Sequence, residues 1–206
     1  LEGQSGRLEE ARRHCEMAAA LLRLSPNAWL EGANYVNRAC IASLACDFSE
    51  ARAQVNAARD AAARCGSDRV RHAIESNAGH LHLISGDFEA AGRSLGSVVE
   101  SAQSPLLTAL GASEGLARVY LAKNQLPECD AALKRIESSV EANPYLNATY
   151  SVRWAGITKG RLLLRRGEAG NAAAWLAKVE AATKDVRDLP FSDRKSTRLN
   201  SRHTDI

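Results

Sequence analysis

Ser85-Gly86-Asp87-Phe88-Glu89-Ala90-Ala91 is the stretch whose reading decides the fold of this chain. A helix-spaced apolar pattern runs up to Gly86, and a second one starts directly after it. Glycine ends helices readily because it takes the left-handed conformation without a Cβ penalty. Asp87 suits a helix start, where a carboxylate accepts from unpaired backbone N–H groups and complements the helix dipole. Phe88 supplies an apolar wedge for the joint between two helices. Ala91, three residues on, keeps their crossing close, because a large side chain there would push the backbones apart.

The phrase recurs. Gly6-Arg7-Leu8 leads to Ala11, Cys46-Asp47-Phe48 to Ala51, Asn124-Gln125-Leu126 to Cys129, and Gly167-Glu168-Ala169 to Ala172. The small anchors Ala11, Ala51, Ala91, Cys129 and Ala172 are separated by 40, 40, 38 and 43 residues. Recurrence at a period of roughly 20–50 residues marks a stacked repeat. Each unit reads as a helical hairpin that cannot bury its own apolar face, so the units must lean on one another. Ahead of each break a small residue precedes a larger one: Ala78-Gly79 before His82, Leu116-Ala117 before Tyr120, and Lys159-Gly160 before Leu163. Lys159 is neither small nor apolar, and Cys46 is the exception at the break position.

Taken in order, residues 6 to 23 read as the second helix of a truncated first unit. Ser25 caps and Pro26 opens a helix to about 45, followed by helices at about 48–65, 69–85 and 87–102. Ser104-Pro105 starts another to about 123. Pro127 falls in the first turn of a helix at about 126–142, where its missing N–H costs little. Asn143-Pro144 opens a last pair at about 145–166 and 168–184. No strand pattern occurs. The expectation is an all-α solenoid of about five hairpins, the first truncated, forming one domain over residues 1–192 with a separate tail at 193–206.

Leu116-Ala117-Arg118-Val119-Tyr120 with Leu126 and Cys129, and Ala78-Gly79-His80-Leu81-His82 with Gly86-Asp87-Phe88 and Ala91, resemble the tetratricopeptide repeat. That family pairs Leu-Gly/Ala with Tyr on the first helix and Gly-Asp/Asn-Tyr/Phe, then Ala, at the turn. The resemblance runs over about residues 6 to 185 and implies a right-handed α-α superhelix. The family unit is about 34 residues, so these hairpins are longer. Their period, the Ala/Arg-rich helices and the phrase Leu162-Leu163-Leu164-Arg165-Arg166-Gly167 resemble the repeat regions of large bacterial transcription activators, both sigma-fifty-four-dependent and ATP-dependent of the maltose-regulon type.

The segment from Asp193 to Ser201, continuing to Ile206, resembles the translation of a sequencing adapter and carries no apolar period. It is set aside from functional reasoning. Without its four basic and two acidic residues, the 27 Lys and Arg against 24 Asp and Glu become 23 against 22, so the net charge falls from +3 to +1. Such a balance gives no reason to expect nucleic-acid or anionic-lipid binding. No apolar run approaches the roughly 18 residues that span a membrane. Cys15, Cys40, Cys46, Cys65 and Cys129 fall in or beside helical patterns, mostly at alanine-like positions, so they read as reduced thiols packed as small hydrophobes. The expected location is the cytoplasm, and the lone internal Met17 suggests a piece of a longer protein.

Chemical motifs are sparse. Gly111-Ala112-Ser113-Glu114-Gly115 fits the nucleophile-elbow pattern, but that elbow follows a strand, and Leu106 to Leu110 has a helical pattern. His80 and His82 stand two apart on a helix and face different sides, with no Cys or carboxylate at three or four residues, so no metal is expected. His82 takes the tyrosine-like packing position and is expected in the core. Asn147-Ala148-Thr149 is a glycosylation acceptor only in a secreted protein. No cofactor and no catalytic activity are expected.

What the family resemblance implies is a groove. First helices of successive units line a concave face that holds protein or peptide partners. The repeat register carries that role onto His80, Arg118, Trp154, Arg161 and Arg165, and arginine suits it because guanidinium forks to carboxylates and stacks on aromatics. Cys40, His80, Arg118 and Arg161 stand where co-chaperone members repeat an Asn of their carboxylate clamp, so recognition of a chaperone tail is not expected. The implied function is a non-catalytic interaction module, either the sensor of a bacterial transcriptional regulator or a stand-alone adaptor.

Overall fold

The computed structural model describes residues 7–182. Nine α-helices follow one another there: α1 (Leu8–Leu24), α2 (Ala28–Leu44), α3 (Phe48–Cys65), α4 (Asp68–Ile84), α5 (Phe88–Glu100), α6 (Leu106–Ala122), α7 (Leu126–Ala142), α8 (Tyr150–Arg165) and α9 (Ala169–Ala182). No strand occurs among the described residues. The adapter-like segment, the end of the 1–192 domain and the last residues of the expected final helix lie outside them.

The recurrent phrase folds as the residues dictate. Gly86 and Gly167 take φ of 80° and 78°, and Cys46 and Asn124 enter the same left-handed region at 60° and 58°. In all four turns the next residue donates its N–H to the carbonyl five residues back: Asp47 to Ala42, Asp87 to His82, Gln125 to Tyr120 and Glu168 to Leu163. That bond satisfies a carbonyl the helix end would otherwise orphan. The Asp47 and Asp87 carboxylates accept from the Glu50 and Ala90 amides at 3.0 Å and so cap α3 and α5. The anchors sit at the crossings: Ala51, Ala91, Cys129 and Ala172 are fully buried, and Ala11 nearly so.

The core is a chain of clusters, not one ball. Ala39, Val55, Ala58, Val70, Ile74 and Ala78 join α2, α3 and α4. Leu83, Ala91, Leu95, Val98, Ala112 and Val119 join α4, α5 and α6. Leu110, Cys129, Leu133, Ile136, Leu146 and Leu162 join α6, α7 and α8 with the turn before α8. Each cluster closes one hairpin against the first helix of the next. Burying a Leu or Ile contributes about 1.5–3 kcal/mol, so stability here accumulates neighbour by neighbour. The first helices also pack on each other directly, α2 on α4, α4 on α6 and α6 on α8. They form the inner row of an all-α solenoid.

Four local expectations change. The cap of α2 is Asn27, whose side chain accepts from the Leu30 amide at 3.1 Å, so Ser25 and Pro26 stay in the connection. Ser104 does not cap α6, because its hydroxyl donates to the Val98 carbonyl at 2.6 Å and ties the loop to α5. Pro144 opens a 3-10 turn over Pro144–Ala148 that buries Leu146, and α8 begins only at Tyr150. That turn lies within the longest step, 43 residues. His82 is half-exposed at the edge of α4, with Nδ1 3.9 Å from the Asp87 carboxylate. The buried histidine of α4 is His72.

Candidate functional site

Arg118, Leu121 and Ala122 of α6, Arg161, Leu164 and Arg165 of α8, and Leu83 of α4 line a groove of about 520 Å3 on the inner row. The hairpins that carry it are closely packed. A Cβ on Gly79 would lie 2.4 Å from Leu95 Cγ, and one on Gly160 would lie 2.5 Å from Leu176 Cδ2. Glycine at these two equivalent positions lets each second helix press its leucine against the first helix of its own hairpin.

Three of the five residues proposed from the sequence therefore meet at one place. Arg161 and Arg165 are solvent-exposed at its rim, one helical turn apart on α8. Arg118 is held differently. Its guanidinium carbon lies 5.3 Å from the centre of the Trp154 ring, a cation–π contact. Its Nη1 stands 3.7 Å from the Glu114 carboxylate one turn back. Trp154 is buried beneath it and tilts against Tyr150, with ring centres 6.0 Å apart. Trp154 thus backs the Arg118 guanidinium but does not itself line the groove. His80 is half-buried between α4 and α6, where a Cβ on Gly115 would lie 2.9 Å from its ring. Burial first, and the nearby Arg118 charge second, push its imidazole down to about 4, with a hydrogen bond to the Gly111 backbone opposing them. At neutral pH it is an uncharged wedge between helices.

Sequence reasoning missed the polar brace beneath the groove. Glu114 is buried, and its carboxylate accepts from the buried Thr158 hydroxyl at 3.0 Å, linking α6 to α8. Its only sequence signal was membership of Gly111–Gly115. That segment lies inside α6, so the strand a nucleophile elbow needs is a helix here. Gly115 is explained by packing, since a Cβ there would also strike Leu95 at 2.8 Å. Lys159, the odd residue of the last unit, pairs with Glu137 of α7 and stands 4.3 Å over the Trp175 ring, whose N–H donates to the Gly156 carbonyl at 2.8 Å. Among the described residues no cluster of His, Cys, Asp or Glu could hold a metal ion, and no helix is long and apolar enough to cross a membrane.

No protein-family model and no curated protein matches the chain. Solved structures do. Two crystal structures of a Podosopora anserina protein assigned as a kinesin light chain, with nearly identical TPR-like repeats, share the fold. The Q17M form aligns with a TM-score of 0.59 at 18% identity, covering 88% of this chain and 89% of that one. The other aligns at 0.57 and 19% identity, covering 91% and 92%. The fold is therefore that of a TPR-like helical-repeat protein.

Proposed function

We propose that the chain is a non-catalytic interaction module whose inner groove holds an acidic, leucine-bearing segment of a partner protein. One observation carries this reading: Arg118, Arg161 and Arg165 converge on a groove otherwise lined by Leu83, Leu121, Leu164 and Ala122. Apolar walls take aliphatic side chains, and guanidinium groups at the mouth take carboxylates bidentately. Near-balanced charge over the rest of the chain argues for a local electrostatic match rather than general attraction to nucleic acid or lipid. The resemblance to activator repeat regions supports a sensor role in a bacterial transcriptional regulator, in which binding favours one solenoid curvature and so biases an attached ATPase or DNA-binding domain. A stand-alone adaptor uses the same groove without such an output. Five unpaired thiols support a reducing cytoplasmic setting.

The test is fluorescence anisotropy with a labelled pool of peptides alternating Glu and Leu, against a pool with Lys in place of Glu. The acidic pool should bind, and Arg161→Glu with Arg165→Glu should weaken it by about tenfold or more, since two charge-assisted contacts reverse. Equal binding of both pools refutes the reading. The genomic sequence beyond the Phe191 codon separates regulator from adaptor: an ATPase or helix-turn-helix domain there supports the regulator, and a stop codon after the last repeat with no such domain upstream either refutes it.

A further inference from the structure

A second cavity, of about 120 Å3, opens between α3 and α4 and shares no lining residue with the arginine groove. Val55, Ala78 and Leu81 form its buried apolar floor, and Arg52, Asn56, Arg59, His82 and Ser85 supply its polar groups. Arg52, Asn56 and Arg59 follow one another at four and three residues, so they share one face of α3. The space is roomy enough for several waters, and so for one phosphate group.

The other repeats show what these positions meet elsewhere. Counting from the anchors and the breaks, Arg52 and Arg59 correspond to Asp130 and Glu137 of α7, and Ser85 and Ala78 to Arg166 and Lys159 of α8. There the chain supplies both signs of charge: Arg166 Nη1 lies 3.5 Å from the Asp130 carboxylate, and Lys159 pairs with Glu137. Between α5 and α6 the counterparts Gly92, Gly96 and Val99 carry no charge, and Tyr120, at the His82 position, packs against two core clusters. In α3 both positions are bases, and Ser85 and Ala78 offer no acid in return. Arg59 turns instead to Glu75, donating at 3.0 and 3.2 Å to a carboxylate that also accepts from Ser94 at 3.1 Å. Asp87, 3.9 Å from His82, caps α5. Arg52 is exposed and meets no carboxylate among the described residues.

We infer that the cavity between α3 and α4 binds one phosphate group, which supplies the acid that this repeat lacks. A phosphate brings up to two negative charges and three acceptor oxygens, and a guanidinium takes two of those oxygens at once. Arg52 is its principal partner, with Asn56, His82 and Ser85 as further donors around the cavity. The site needs nothing from the arginine groove. The same chemistry fits free phosphate and a phosphate ester carried by another molecule.

The test titrates the isotopically labelled full chain with inorganic phosphate and, separately, with phosphoserine, at an ionic strength held constant with chloride. Amide chemical shifts over residues 52–59 and 78–87 are followed by NMR. Phosphate and phosphoserine should both saturate these shifts with Kd on the order of 1 mM, and serine should move none of them. Arg52→Gln, at an exposed position, should fold as the parent does and weaken binding about tenfold or more, since it removes a charge-assisted contact. His82→Tyr should weaken it as much by filling the cavity, with a Tm no lower than the parent's, because Tyr120 occupies the same position one repeat on. Phosphoserine binding at least tenfold tighter than phosphate supports an ester on another molecule as the occupant, and equal binding supports free phosphate. No saturable shift with either ligand, the same shifts with chloride alone, or undiminished binding in either variant overturns the inference.

Discussion

Gly79→Ala adds one methyl group and should destabilise the protein, although alanine is the better helix former. The new Cβ would stand 2.4 Å from Leu95 Cγ and 2.7 Å from Cδ2, more than 1 Å inside ordinary contact. Leu95 cannot turn away, because it is fully buried and its other branch already faces Gly115 of α6. Overpacking of a closed site costs about 3 kcal/mol, and the helix-propensity gain of alanine over glycine returns about 1 kcal/mol. The net loss is about 2 kcal/mol, which lowers Tm by about 4–8 °C in a chain of this size. Gly96→Ala is the control. It lies inside α5 with nothing within 4 Å of its Cβ position, so it should raise Tm by about 2–4 °C. Circular dichroism at the helical band during heating reads both. In a Leu95→Ala background, itself costing about 2–5 kcal/mol, Gly79→Ala should cost nothing. Shifts of the same sign for the two glycines, or an undiminished cost in that background, would refute the close-approach account.

Arg118→Glu should cost about 2–4 kcal/mol in urea unfolding, because it forfeits the Trp154 contact and sets a carboxylate beside buried Glu114. Arg165→Glu, at an exposed position, should stay within about 0.5 kcal/mol of the parent, so Arg118 is the wrong residue for a clean binding test. His80, with its folded pKa lowered from 6.5 to about 4, contributes stability that is complete above pH 6.5. That contribution is lost as pH falls toward 4, since the unfolded chain takes the proton first. His80→Gln should flatten stability across that window by about 2 kcal/mol. Among the thiols, exposed Cys46 should react with a disulfide reagent at once, while buried Cys129 should react only on unfolding. Cys46→Asn should leave stability equal or raise it by up to about 1 kcal/mol, because asparagine tolerates the left-handed backbone at φ 60° better than cysteine does.

Local chemistry settled the elements of this protein. Gly86, Asp87, Phe88 and Ala91 act on one another within two helical turns, so their recurrence fixed the hairpins, the period and the small anchors at the crossings. That legibility weakened where a residue's role depends on what faces it. Ser25 looked like a cap, but Asn27 stood where the α2 amides could reach it. His82 looked like core from its place in the motif, yet only the packing of α4 showed that His72 is the buried one.

The groove divides the same way. The resemblance to the tetratricopeptide repeat, carried over by the register, named Arg118, Arg161 and Arg165 as groove residues, because first helices line a concave face in that family. Tertiary packing alone decided that Trp154 and Glu114 take Arg118 from below, that Thr158 joins α6 to α8, and that His80 loses its charge between helices. Such contacts join residues up to 44 positions apart, and no spacing rule links their identities. Burial and distance, which set their energies, exist only once the helices have stacked.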